Sequence, residues 1–396
     1  MKTGRRDFLR IGSFATASLM IPQMLTSSKL YDPRKNAKSV VVIQLTGGND
    51  GLNTVVPFRN DIYYRNRPKL AISKNEVLPL DDELGLHPSL SGLQEVFRNG
   101  DMSIVNGVGY PEPNRSHFRS MDIWQTASDH DRILGTGWLG RLIDLQSDPA
   151  PYNALEIDEA LSLALKGERM KGLAFKDPER LYSQLQEPFI QATARSVNHD
   201  HVHDEVGYLR KTLAETASSV DYLYERSKVY SSRIDYPQTS LGKGLKTIAE
   251  LIVAESDTMV YYISHAGFDT HVGQDAKHRK VLGQYDEAVS AFIKDLKKNR
   301  KFDDVLILTF SEFGRRVSQN ANGGTDHGAA SNVFLMGGKL NRPGVFNEVP
   351  SLSDLDNGDL RYTVDFRSVY STILERWLDQ PSRDVLGQWF APLPIV

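Results

Sequence analysis

The chain is 396 residues long, 40% apolar and 24% charged, with no cysteine, a formal charge of -3 and a pI near 6.4. That mix suits a globular protein whose core is large enough to need no covalent staples. It excludes disulfides, thiolate metal sites and cysteine nucleophiles, and its mild acidity argues against a nucleic-acid partner.

Arg5 and Arg6, with Asp7, Phe8 and Leu9, precede an uncharged stretch, Ile11 to Leu25, that holds Phe14, Leu19, Met20, Ile21 and Met24. A twin arginine ahead of a short, mildly apolar segment resembles a Tat export signal, so residues 1–28 are read as that signal and the Tat machinery as a partner. The expected destination is the periplasm, the cell surface or the medium. About 20 apolar residues are needed to span a bilayer, and this stretch is shorter and broken by Gly12 and Pro22. No stable membrane span is expected beyond the signal itself, whose retention as an anchor stays open because no small-x-small cleavage site follows it.

Residues 29–38 are polar and read as a linker; one large domain, 39–396, follows. It opens with SVVVIQL at 39–45, a continuous β-branched run of the kind found in buried parallel strands. A helix over about 88–98 leads into a second strand at 102–108. Apolar residues at three- and four-residue spacing predict helices over 205–229 and 241–255, and the stretch from about 155 to 240 is read as an inserted helical layer. A strand at 258–264 precedes a helix over 274–298, whose Val281, Tyr285, Ala288, Phe292 and Leu296 share one face. Strands at 305–310 and 332–336 and a helix over 366–378 complete the alternation. The expected class is α/β, a mostly parallel sheet with helices on both faces.

In such sheets ligands bind beyond the carboxyl ends of the strands. The segments there are rich in polar groups: Gly47 to Gly51 with Asn49 and Asp50, then Asn114-Arg115-Ser116-His117, then Asp269-Thr270-His271, and Ser311-Glu312. Thr325-Asp326-His327-Gly328 stands just before the last strand. Each has a plain structural reading beside its chemical one. Asp50 could end a turn or ligate a metal; Ser116 could cap a helix or act as a nucleophile where backbone N–H groups favour an anion. Arg115 could pair on the surface or grip an ester's oxygens. Asp269 with His271 and Asp326 with His327 offer carboxylate and imidazole donors to zinc, manganese or calcium, and Glu312 could ligate, act as a base or pair with Arg315 or Arg316. His199, His201 and His203 lie in a polar, Asp-rich stretch and are read as solvated.

The segments GGNDGLNTVVP (47–57), GVGYPEPNRSHFRSMDIWQTA (107–127), GWLGR (137–141), HAGFDTH (265–271), FSEFGRR (310–316) and GGTDHG (323–328) resemble the Tat-exported family called domain of unknown function 1501, from about residue 39 onward. That family is similar to the alkaline phosphatase and sulfatase superfamily. The resemblance implies a metal-supported hydrolase of phosphate or sulfate esters on a small molecule or glycan. It implies Ser116 as nucleophile, with Asn114 and Arg115 binding the anion. It also implies one or two divalent cations (Zn, Ca, Mg or Mn) on Asp50, Asp269, His271, Asp326 and His327. Phe313 stands where the superfamily commonly has a ligand, which favours the rival reading: a non-catalytic exported binding or assembly protein. A third reading pairs Asp50 with Glu312 as the carboxylates of a carbohydrate-active enzyme.

Overall fold

The computed structural model describes residues 38–188, 190 and 205–396. The twin-arginine segment, almost all of the linker, and His199, His201 and His203 lie outside the described residues. Among the described residues, no helix is long and apolar enough to cross a membrane.

The run at the start of the domain forms β1 (Ser39–Thr46), buried on both faces in the middle of a nine-stranded sheet. Its companions, in chain order, are β2 (Met102–Gly109), β3 (Ala154–Glu156), β4 (Leu173–Ala174), β5 (Val260–Ala266), β6 (Val305–Ser311), β7 (Ser331–Met336), β8 (Gly344–Val345) and β9 (Val364–Asp365). The spatial order is β8-β2-β7-β6-β1-β5-β3-β4, with β9 also pairing β2. β1 runs parallel to β5 on one side and β6 on the other.

Helices cover both faces. Val41, Ile43 and Leu45 point into one core with Leu93 of α1 (Ser91–Arg98), Leu245 and Ile248 of α2 (Ser240–Val253), and Leu282, Val289 and Phe292 of α3 (Gln274–Lys298). Val40 and Val42 point the other way, to Trp124, Trp138, Tyr370 and Trp377. Alternate residues of one strand thus feed two cores, which is why the sequence reads as an unbroken apolar run. Each such side chain contributes roughly 1.5–3 kcal/mol by leaving water.

Two features depart from the expected plan. The 155–240 stretch is not purely helical: β3 and β4 extend the sheet beyond β5 before the chain turns helical at Pro178–Leu185 and Glu205–Ser227. Strands of two or three residues carry too little period to be seen in the sequence. The second departure positions the site. β7 is antiparallel to both β2 and β6, so its beginning, not its end, lies at the carboxyl edge of the parallel strands.

Candidate metal centre

Strand β1 ends at Gly47 and Gly48, where the backbone must pass close to two neighbours. Gly47 has φ +120, and a Cβ there would stand 2.4 Å from the backbone N of Asp269. Gly48 has φ +75, and a Cβ would meet the Phe313 ring at 2.3 Å. Both positions require glycine. The close approach lets Arg315, which is 1% exposed, gather three loops. Its guanidinium donates to the carbonyls of Gly48 (2.7 Å), Gly47, Thr325 (2.8 Å) and Phe268 (3.0 Å), and to Asp269 Oδ1 (2.8 Å). Burial works against ionising Asp269, but the bond from Arg315 holds its carboxyl below the usual range.

Three imidazoles surround that carboxylate. His271 Nε2 lies 3.1 Å and His327 Nε2 3.3 Å from Asp269 Oδ1; His117 Nε2 lies 3.7 Å from Oδ2. The Nε2 atoms of His271 and His327 are 2.9 Å apart. Ligand-type atoms of His117, Asp269 and His327 all lie within 4.8 Å of one another. His117 enters as the first residue of α4 (His117–Thr126), Asp269 and His271 follow β5, and His327 precedes the reversed β7.

The opposite nitrogens are tied. His327 Nδ1 lies 2.8 Å from the carbonyl oxygen of Arg115, and His117 Nδ1 lies 2.9 Å from Glu312 Oε1. A carbonyl or carboxylate can only accept, so those Nδ1 atoms carry protons, and in its neutral form each ring turns a lone pair inward at Nε2. His271 Nδ1 faces Asp326 Oδ1 at 3.4 Å. The bond to Glu312 raises the His117 pKa, whereas burial is the main cause lowering that of His327. Asp326 is held below the carboxylate range, first by its bond from Asn320. Phe313 ligates nothing; its ring packs beside His117 and His327, with centroids at 4.9 and 4.6 Å, and confines both.

The donor set fits a cation. Lone pairs on two nitrogens 2.9 Å apart repel unless a proton or a cation lies between them. Ligands bonded at about 2.0–2.1 Å in a tetrahedron stand roughly 3.3 Å apart, near the 2.9, 3.1 and 3.3 Å separations among Asp269, His271 and His327, with His117 at 3.7 Å from Asp269.

Asp50, expected as a ligand, is placed otherwise. It caps the short helical turn Gly51–Thr54 and forms a 2.6 Å ion pair with Arg67, both side chains fully buried; the Gln274 amide also donates to it. Burial raises its pKa and Arg67 more than offsets that, leaving it lowered. Both of its oxygens are engaged within the fold, Oδ1 by the Asn53 N–H and Oδ2 by Arg67 and Gln274. Arg115 directs its guanidinium at Asp359 (2.8 Å) rather than at the centre. Asn114 accepts the Ser116 N–H at 2.8 Å and shapes the turn. Ser116 is the exposed N-cap of α4, and its hydroxyl makes no capping bond. Glu312 is fully buried behind His117. The sequence reading passed over His117 itself: it lay in the polar set, but its neighbour Ser116 drew the chemical role.

No curated protein matches the chain. Solved structures that overlay on it include the C-terminal periplasmic domain of EcEptC from Escherichia coli in complex with Zn, 9% identical, with 77% of this chain and 74% of that one covered and a TM-score of 0.36. The lipoteichoic acid synthase LtaP from Listeria monocytogenes is 10% identical, with 90% and 80% covered and a TM-score of 0.37. The phosphonate monoester hydrolase SpPMH from Silicibacter pomeroyi is 8% identical, with 90% and 78% covered and a TM-score of 0.36. Overlaps at such scores carry no chemistry from one chain to the other. The sequence profile described as "Protein of unknown function (DUF1501)" matches residues 37–378, and the chain belongs to that family.

Proposed function

We propose that this protein is an exported, metal-dependent hydrolase of phosphate or sulfate esters, with its cation held by His117, Asp269, His271 and His327. The observation that carries the reading is the convergence of three Nε2 atoms on one carboxylate. Two of the rings have the opposite nitrogen engaged by a pure acceptor. Of the cations the sequence allows, an imidazole-rich set favours zinc over manganese, calcium or magnesium. Such a cation supplies Lewis acidity, acidifying a hydroxyl or water and offsetting charge that develops on an ester's oxygens.

The chain's own groups do the rest. Ser116 is an exposed hydroxyl at the N-terminus of α4, next to His117, and serves as the nucleophile. The first N–H groups of α4 favour an anion at the same place. Asn114 and Arg115 act by shaping the turn, and Arg315 fixes Asp269 from below. Export by the Tat machinery follows from the twin arginine, and a periplasmic or surface location with it.

The test is to load the natively folded chain with zinc and assay aryl phosphates and aryl sulfates. Ser116→Ala should abolish turnover while metal content stays stoichiometric; His327→Ala should lower both. Stoichiometric metal without hydrolysis across the panel would point to the non-catalytic binding protein instead.

A further inference from the structure

Glu312 stands directly behind one imidazole of the centre. It is fully buried, and among the described residues its one positively chargeable partner is His117. Oε1 accepts the Gly47 N–H at 2.8 Å and faces His117 Nδ1 at 2.9 Å, while Oε2 faces the Ser311 hydroxyl at 3.1 Å.

The ring also has a choice to make. Phe313, tilted against it, and His327, edge-on to it, confine the ring with centroids at 4.9 and 4.4 Å, yet that packing does not decide which nitrogen faces Asp269. The bond to Glu312 decides it. The carboxylate is in turn fixed by a backbone N–H at the end of β1 and sits at the end of β6, so the two most central strands of the site set the ring's angle. The other two histidines lack this arrangement: His327 meets a neutral carbonyl, and His271 meets the exposed Asp326 at 3.4 Å.

We propose that Glu312 is the positioning residue of the centre: by holding Nδ1 of His117 it turns Nε2 toward Asp269 and strengthens it as a donor, so that the pair selects a nitrogen-seeking first-row cation such as zinc. The proposal rests on the metal reading above but not on hydrolysis. Carboxylates behind metal-binding imidazoles typically alter affinity 10- to 100-fold.

The experiment measures zinc affinity by competition with a chromophoric chelator, and the visible spectrum of the cobalt-loaded protein, in the full chain without substrate. Glu312→Gln keeps an acceptor but not its charge and should bind zinc about 10-fold more weakly; Glu312→Ala should approach 100-fold and change the cobalt spectrum. Adding Glu312→Gln to His117→Ala should weaken binding no further than His117→Ala alone, because the effect passes through that ring. Wild-type affinity in Glu312→Gln and Glu312→Ala would overturn the proposal. So would a full additional loss in the double variant, the mark of a general structural role. If Glu312→Ala does not fold, the Gln variant and the double variant decide alone. A protein that binds zinc through this pair but hydrolyses nothing would refute the hydrolase reading and leave this one standing; a wild type that binds no zinc would refute both.

Discussion

His327 Nδ1 meets the main-chain oxygen of Arg115 at 2.8 Å across 212 residues of sequence. The contact uses the backbone, so the Arg115 side chain is free to do something else, and it pairs with Asp359. Arg115→Ala keeps the carbonyl. It should therefore retain stoichiometric zinc, with its cost appearing as a fall in stability of about 1–3 kcal/mol, because Asp359 is buried and would keep only Arg316, at 3.4 Å, as an ion-pair partner. Elemental analysis and a urea melt check this; loss of zinc would show that the guanidinium supports the centre.

Asp50→Asn separates the two readings of the first strand's carboxylate. Its ion pair with Arg67 is fully buried. Removing one charge strands the other, which typically costs 3–5 kcal/mol. The unfolding midpoint should drop accordingly while zinc content per folded chain stays at the wild-type level. A stable variant that has lost its metal would restore Asp50 as a ligand.

Glu156, at the end of β3, is pushed by burial from its ordinary 4.5 up to about 7. Between those values the folded chain holds a proton that the unfolded chain has released, so stability falls as pH rises through this window and stays lowered above it. Glu156→Gln removes that loss and keeps an acceptor for the Ser162 N–H. The variant should be more stable than wild type by up to about 3 kcal/mol at pH 8 and nearly equal to it at pH 4. Denaturant melts at the two pH values read the difference; equal gains at both would refute the assignment.

Gly48→Ala should harm the centre from outside it. The position has φ +75, and the new methyl would drive into the Phe313 ring that packs beside His117 and His327. The backbone cost alone is about 1 kcal/mol, and moving Phe313 adds to it. Both the melting temperature and zinc affinity should fall; a fall in the first alone would mean that Phe313 does not hold the imidazoles.

The five long inner strands were legible because an uninterrupted run such as Val40 to Leu45 has few other uses in a soluble domain. The edge strands, two or three residues each, were not. At the site, Asp269, His271 and His327 could be read from their place beyond strand ends. Asp50 could not be told from them, because a capping carboxylate and a ligating one look alike until the partner is seen. That partner, Arg67, follows a short helix, Asp61–Asn66, and carries no motif. Glu312 was noticed as a charged residue in the right place, but whether it faces the centre or stands behind His117 depends on a strand's pleat and a ring's angle.

The reversal of β7 has one more effect. The polypeptide departs from the rim at Ser311 and rejoins it at Ser331, so the bridge between them, which carries His327, is moored at both ends. A slip of two residues in the pairing of β7 would drag that imidazole roughly 7 Å along the strand axis, beyond reach of Asp269. Both neighbours of β7 must already be in register, and they come from opposite halves of the chain. Such distant pairings form slowly, and capture of a cation should therefore trail hydrogen bonding of the sheet when the protein refolds.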